Sequence, residues 1–411
     1  MRLLVVSNAY WPNFNGGFEI LCEEHVGWLV GRGHEVVVLT VKSSVDGPAP
    51  GVGRHGERVV RGLEFRWADY QHRHPGPLTS VRQELEQRRL VEGLLAKWTP
   101  DVAALWGMAG VGKSLIAEVQ ERGVPMVAVI GEPWPVWDLA SDPWLRKWVD
   151  GGTPRIIRKV LAPVGRRVAP IQLATALSAV TPLYVSEDVR VMSEAGVPAW
   201  SGRGTLVPNG IRGEAFPAVP REALPAVPRL LYAGRVEQRK GLHTVIEALD
   251  QLRREGVETA LTIAGWEHAT YAADIRAAVA RAGLDDAVTW RGPVTRAALA
   301  MLYGAHDVLL FPTIWREPFG LVPLEAMATG CAVLATGTGG SADYLRDEQN
   351  CLLFPAESAT GLAGALTRLR DEPALLARLR EGGRATAAAH DFEHYAETVE
   401  HHLLVAGGLA A

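Results

Sequence analysis

Short apolar runs alternate along nearly the whole chain with longer stretches whose apolar residues recur at helical spacing. Residues 3–7, 35–40, 101–106 and 125–130 read as buried strands of a first half. Residues 229–234, 260–265, 287–292, 307–312, 332–336 and 351–354 read as strands of a second. Each run is too short for a helix and apolar without strict alternation, the pattern of a strand covered on both faces. Residues 241–255, 272–282 and 392–404 carry the helical spacing. Strand–helix alternation of this kind predicts the α/β class, with parallel sheets clothed by helices.

The series breaks once. Residues 217–228, PAVPREALPAVP, hold four prolines and form a stiff, extended connection. It restarts at RLLYAGR. The expected organisation is a Rossmann-like domain over 1–208, a linker over 209–228, a second Rossmann-like domain over 229–390, and a last helix over 391–411 that crosses back to the first. Ligands of such doubly wound sheets sit at the carboxyl ends of the strands. Two such domains are expected to face each other across a cleft.

Composition narrows the picture little. The chain is 48% hydrophobic and 21% charged, ordinary for a globular protein. A net charge of −4 speaks against a nucleic-acid partner. Cys22, Cys331 and Cys351 stand far apart, outside any metal-ligand spacing, and read as reduced thiols of a cytoplasmic protein. No apolar run reaches the roughly 18 residues that a membrane span needs.

The chemistry concentrates in residues 311–330, FPTIWREPFGLVPLEAMATG. A strand ends at Phe311-Pro312, a loop carries Glu317, and a helix follows with Pro323 in its first turn and Gly330 past its end. Gly320 lets the backbone approach a ligand closely. A helix N-terminus at the carboxyl end of a strand favours an anion such as a diphosphate. Glu317 and Glu325 would flank that anion, each able to accept hydrogen bonds from sugar hydroxyls. A rival motif lies in the first half. Residues 107–114, GMAGVGKS, satisfy the phosphate-loop pattern. That pattern would put Lys113 on phosphates and Ser114 on magnesium, and would make the chain a nucleotide hydrolase or switch.

The ordered set of motifs decides between them. EPFGLVPLE with its E-x7-E spacing, YAGRVEQRKGLHTVIEAL at 232–249, VPNGI at 207–211 and NGGFE at 15–19 closely resemble the retaining glycosyltransferases of family 4, which have the GT-B fold. The resemblance implies transfer of a sugar from a nucleoside-diphosphate sugar to a hydroxyl of a small-molecule, glycan or lipid-linked acceptor, with retention, no cofactor and no metal. By the same resemblance Arg235 and Lys240 would bind the donor diphosphate. Glu317 would hold the transferred sugar and Glu325 the ribose. Phe319, Gly320, Leu321 and Val322 would present backbone to the donor. Gly16 and Gly17 would close over the phosphates, Gly234 and Asn209 would border the site, and Gly265, Arg291 and Val294 would line the base pocket. One departure stands out. Where the family carries a His-Asp pair, this chain has Gly131-Glu132. Either Glu132 takes a positioning role or the donor phosphate acts alone on the acceptor proton.

On the acceptor side, Trp134, Trp137, Trp144 and Trp148 crowd one stretch, as sugar-stacking platforms or as core. Residues 154–168 pattern as a basic amphipathic helix, read either as a solvated cationic face or as a peripheral contact with an anionic membrane.

Overall fold

The computed structural model describes residues 1–13, 16–42, 51–68, 71–72, 77–141, 173–221 and 223–410. The chain divides into two compact units, residues 1–207 with 396–411, and residues 208–395.

The first unit holds a parallel sheet of β1 (Arg2–Ser7), β2 (Glu35–Val41), β3 (Arg58–Leu63), β6 (Val102–Leu105), β7 (Met126–Ile130), β8 (Val180–Tyr184) and β9 (Thr205–Leu206), in the order β3-β2-β1-β6-β7-β8-β9. A small antiparallel pair, β4 (Trp67–Ala68) and β5 (Gln71–His72), stands apart from it. The central strands β6 and β7 are buried along their whole length. That is why they read as continuous apolar runs rather than alternating ones. The C-terminal helix, Phe392–Ala406, delivers Glu400 to this unit, where it pairs with Arg32 at 3.0 Å and with His34 at 2.6 Å.

The second unit holds β10 (Arg229–Ala233), β11 (Ala260–Ala264), β12 (Val288–Gly292), β13 (Val308–Phe311), β14 (Ala332–Ala335) and β15 (Leu352–Leu353), all parallel, in the order β12-β11-β10-β13-β14-β15. Strand order reverses at β10, so the crevice between β10 and β13 is the topological switch point where such sheets take ligands. Helices Leu242–Arg254, Ala269–Arg281, Ala359–Asp371 and Pro373–Ala389 give Leu242, Val245, Leu249, Ile275, Leu362 and Leu376 to one apolar core with the strands. Among the described residues, no helix is long and apolar enough to cross a membrane. The basic stretch 154–168, with Trp144 and Trp148, lies outside the described residues.

Candidate active site

The switch point of the second sheet is where the expected donor residues gather. β10 runs out through Gly234, whose N–H still donates to the Ala264 carbonyl at 2.9 Å. Gly265 follows β11 with φ of +151°, and a Cβ there would lie 1.8 Å from the Gly234 carbonyl oxygen. Only glycine lets the two strand ends close up this way. Gly241 begins the helix Leu242–Arg254 in the left-handed region, tight against the Pro312 carbonyl. This contact seats the segment carrying Arg235 and Lys240 beside the strand end that carries the Glu317 loop.

Lys240 Nζ lies 2.5 Å from Glu317 Oε2, with both side chains only 16% and 12% exposed. Trp315 Nε1 donates to the same carboxylate oxygen at 2.9 Å. The Lys240 ammonium stands 5.3 Å from the Trp315 ring centroid and the Arg239 guanidinium 4.1 Å from it. Buried Glu237 binds Arg239 at 2.6 Å and Arg235 at 3.4 Å. Three cations, two carboxylates and an indole thus share one half-buried patch. Charge pairs held there are screened less than exposed ones.

The loop is braced from behind. Gly340 N–H donates to the Glu317 carbonyl at 2.6 Å, and Gly339, at φ +63°, leaves no room for a Cβ against the Glu317 backbone. The Phe319 ring is buried against Tyr344 and His390. Gly320 adopts φ +86° and caps the helix Leu321–Ala328 without any side-chain hydrogen bond. The first N–H groups of that helix, at Leu321 and Val322, therefore have no side-chain cap and are oriented for an anion. Glu325 is nearly buried and accepts from the Tyr303 hydroxyl at 3.0 Å, with Arg296 at 3.9 Å. Burial and then the Glu325 charge raise the Tyr303 pKa well above its ordinary value, so the phenol remains a donor. Arg291 is exposed at the end of β12, and Val294 is half-buried just beyond it. Asn209 is buried with its Oδ1 unpartnered. Sequence reasoning missed Trp315, Glu237, Tyr303 and the 339–343 turn. Of these only Trp315, two residues before Glu317, had a signal in the sequence.

In the first unit, Gly16 and Gly17 open the helix Gly17–Gly31 at the carboxyl end of β1, with Gly16 extended and both exposed. Glu132 is half-exposed after β7. Gly131 lies against the Phe18 ring. A Cβ at Gly131 would lie 2.2 Å from the Phe18 ring. Phe18, which packs on Trp106, occupies the space that an imidazole at 131 would need. Trp134 is buried and meets Trp200 edge-on, so it is core rather than a sugar platform.

The phosphate-loop reading of 107–114 is overturned. Lys113 is 1% exposed, and its ammonium donates inward to the Met108 and Val111 carbonyls at 2.5 and 2.6 Å. Ser114 is hydrogen-bonded to Glu84 and Gln87. The lysine fills its own loop with charge instead of offering it to a ligand.

Residues 214–386 match the family model described as glycosyl transferases group 1. The chain is 27% identical over 397 residues to glycogen synthase of Mycobacterium tuberculosis, spanning 93% of this chain and 89% of that one. It is 29% identical over 412 residues to D-inositol 3-phosphate glycosyltransferase of Pseudarthrobacter chlorophenolicus, spanning 94% and 92%. Its fold matches the crystal structure of Anabaena Alr3699/HepE in complex with UDP and glucose, with a TM-score of 0.68 at 16% identity over 98% and 99% of the two chains. Two parallel Rossmann-like sheets with this likeness give the chain the GT-B fold, and its second unit is similar to the group 1 glycosyl transferases. The group 1 match lies within the unit that holds Lys240, Glu317 and Glu325.

Proposed function

We propose that this chain transfers a sugar, with retention and without a metal, from a nucleoside-diphosphate sugar bound in the second unit to an acceptor hydroxyl. The observation that carries the reading is the Lys240–Glu317–Trp315 cluster beside the uncapped N-terminus of Leu321–Ala328. The diphosphate takes the helix N-terminus, Arg235 and Lys240. Glu317 accepts from the hydroxyls of the transferred sugar, and Glu325, held by Tyr303, accepts from the ribose. As the glycosidic bond breaks, negative charge grows on the departing diphosphate. Fixed cations there stabilise the transition state more than the ground state. In the absence of donor, Glu317 holds the Lys240 ammonium in place, so little reorganisation is needed when phosphate arrives. With Phe18 in the place of an acceptor-side histidine, the donor phosphate oxygen takes the acceptor proton and Glu132 only positions the acceptor. The HepE complex with UDP and glucose supports a uridine donor.

A thermal-shift panel of UDP, GDP, ADP and ATP tests the reading, because stabilisation grows as RT ln(1 + [L]/Kd). UDP should raise the melting temperature most, with or without EDTA. ATP as the strongest ligand, or a strict need for a divalent ion, would overturn it.

A further inference from the structure

Trp266 follows Gly265 at the carboxyl end of β11. It is the only exposed tryptophan among the described residues, with 52% of its surface open to solvent. The other two tryptophans of the second unit have work to do. Trp290 lies under the Arg276 guanidinium at 4.0 Å, and Trp315 donates to Glu317. An indole left in water is an unfavourable use of a large apolar side chain, so its position calls for a cause.

The turn beneath the indole is fixed on every side. The Trp266 carbonyl accepts from the Val236 N–H at 2.8 Å, and the His268 N–H donates to the Val236 carbonyl at 3.0 Å. Val236 is fully buried, so these two bonds tie the turn firmly to the segment that carries Arg235. The Gly265 N–H donates to the Gly292 carbonyl at 2.8 Å and ties the turn to the end of β12. Glu267 pairs with Arg276 at 2.8 Å. The His268 ring meets the indole edge-on, with 6.4 Å between centroids and 75° between planes. Trp266 thus stands on a braced turn between the segment of Arg235 and the end of β12. Strands lie about 4.8 Å apart, so β11 runs roughly 7 Å from the middle of the β10–β13 crevice. That is the neighbourhood of the proposed diphosphate. Gly265, Arg291 and Val294, the residues expected around the base, supply backbone, an exposed guanidinium and a small aliphatic group. None of them offers a flat apolar face, and the indole next to Gly265 does.

We propose that Trp266 is the platform on which the base of the donor nucleotide stacks. The inference rests on the nucleoside-diphosphate-sugar reading of the second unit and adds to it a binding residue outside the set that the resemblance implies. Every nucleobase has a π-face, so the platform adds affinity without choosing the base. A platform already held in place by its turn and by His268 loses little freedom when the ligand arrives.

Calorimetric titrations of UDP and of inorganic pyrophosphate, which has no base, test this on the full chain. Trp266→Ala should weaken UDP about ten-fold, the usual scale for cutting back one aromatic partner of a base, and leave pyrophosphate within about two-fold. Trp266→Phe keeps a ring and should hold UDP within about three-fold of the unaltered protein. Both are exposed changes and should leave the melting temperature of the free protein where it was. Unchanged UDP affinity in Trp266→Ala would overturn the proposal and leave the donor reading standing. Equal losses of UDP and pyrophosphate would also overturn it, because the indole would then shape the turn beside Arg235 rather than hold a base. If pyrophosphate binds too weakly to titrate, Trp266→Phe decides: a loss as large as that of Trp266→Ala counts against stacking. Failure of the unaltered protein to bind UDP or any other nucleoside diphosphate would remove the donor reading itself, and this inference with it, before any variant is made.

Discussion

Two lysines follow glycine-bearing turns at the carboxyl ends of parallel strands, and they do opposite things. Lys240 stands half-buried with its ammonium on Glu317 and over the Trp315 ring. Lys113 is sealed in, its ammonium on the Met108 and Val111 carbonyls and 5.5 Å from the Trp134 ring centroid. Their surroundings look alike on a list: a lysine, a tryptophan, nearby glycines. They differ in where the donors point. A lysine whose protons satisfy backbone carbonyls has nothing left for a phosphate. A lysine whose partner is a carboxylate open to ligand hydroxyls does. The difference separates a structural plug from a site.

The largest expected effect follows from that contrast. Lys240→Ala and Glu317→Ala should each cut turnover by roughly 10²–10³, the loss typical of removing one preorganised electrostatic group. Measured with the donor that the nucleotide panel selects, kcat should fall even well below the melting temperature of each variant, which the loss of one member of a largely buried pair will itself lower. Full activity in either variant would remove the site assignment. Lys113→Met tests the other side. It takes the lysine donor from the Val111 carbonyl and leaves the Met108 carbonyl only the Val111 N–H at 3.2 Å, which costs about 1–3 kcal/mol of stability, seen as a lower urea midpoint. UDP binding should not change. Loss of nucleotide affinity with normal stability would restore the phosphate-loop reading.

The two regions also show what sequence carries and what it does not. The second sheet was readable strand by strand, because β13 and β14 are apolar end to end and β10 and β11 carry one polar residue each, Arg229 and Thr262. The outer strands β3 and β9 were not. RVVRGL is half-exposed with arginines, and Thr205–Leu206 is two exposed residues, so neither presents a buried run. β8, VTPLY, was hidden by its proline, which lies at Pro182 in the strand interior next to the short edge strand β9. The form of the candidate loop was readable because it is local: Glu317, Gly320 and the helix start fall within a few residues. The orientation of Lys113 was not, since Met108 and Val111 present only backbone, which leaves no trace in residue identity. Nor was the packing at Gly131. Phe18 comes from more than a hundred positions upstream, and only the fold brings its ring onto Gly131.

The smallest effects belong to the two tryptophans, and they sharpen the comparison most. The Trp315 N–H donates to Glu317, the carboxylate that also holds Lys240. Trp315→Phe keeps a ring under Arg239 and Lys240 but removes that donor. One hydrogen bond of about 0.5–1.5 kcal/mol corresponds to a drop in kcat of about two- to ten-fold. The Trp134 N–H is buried and has no partner. Trp134→Phe removes an unsatisfied donor, a gain of about 1–3 kcal/mol, and leaves a small void whose cost runs near 24 cal/mol per Å³. The two oppose each other and leave the net change small, about 1 kcal/mol in either direction, with no change in kcat. Equal losses of kcat in both variants would mean that the indole near Lys113 also serves the reaction, and the contrast between plug and site would fail.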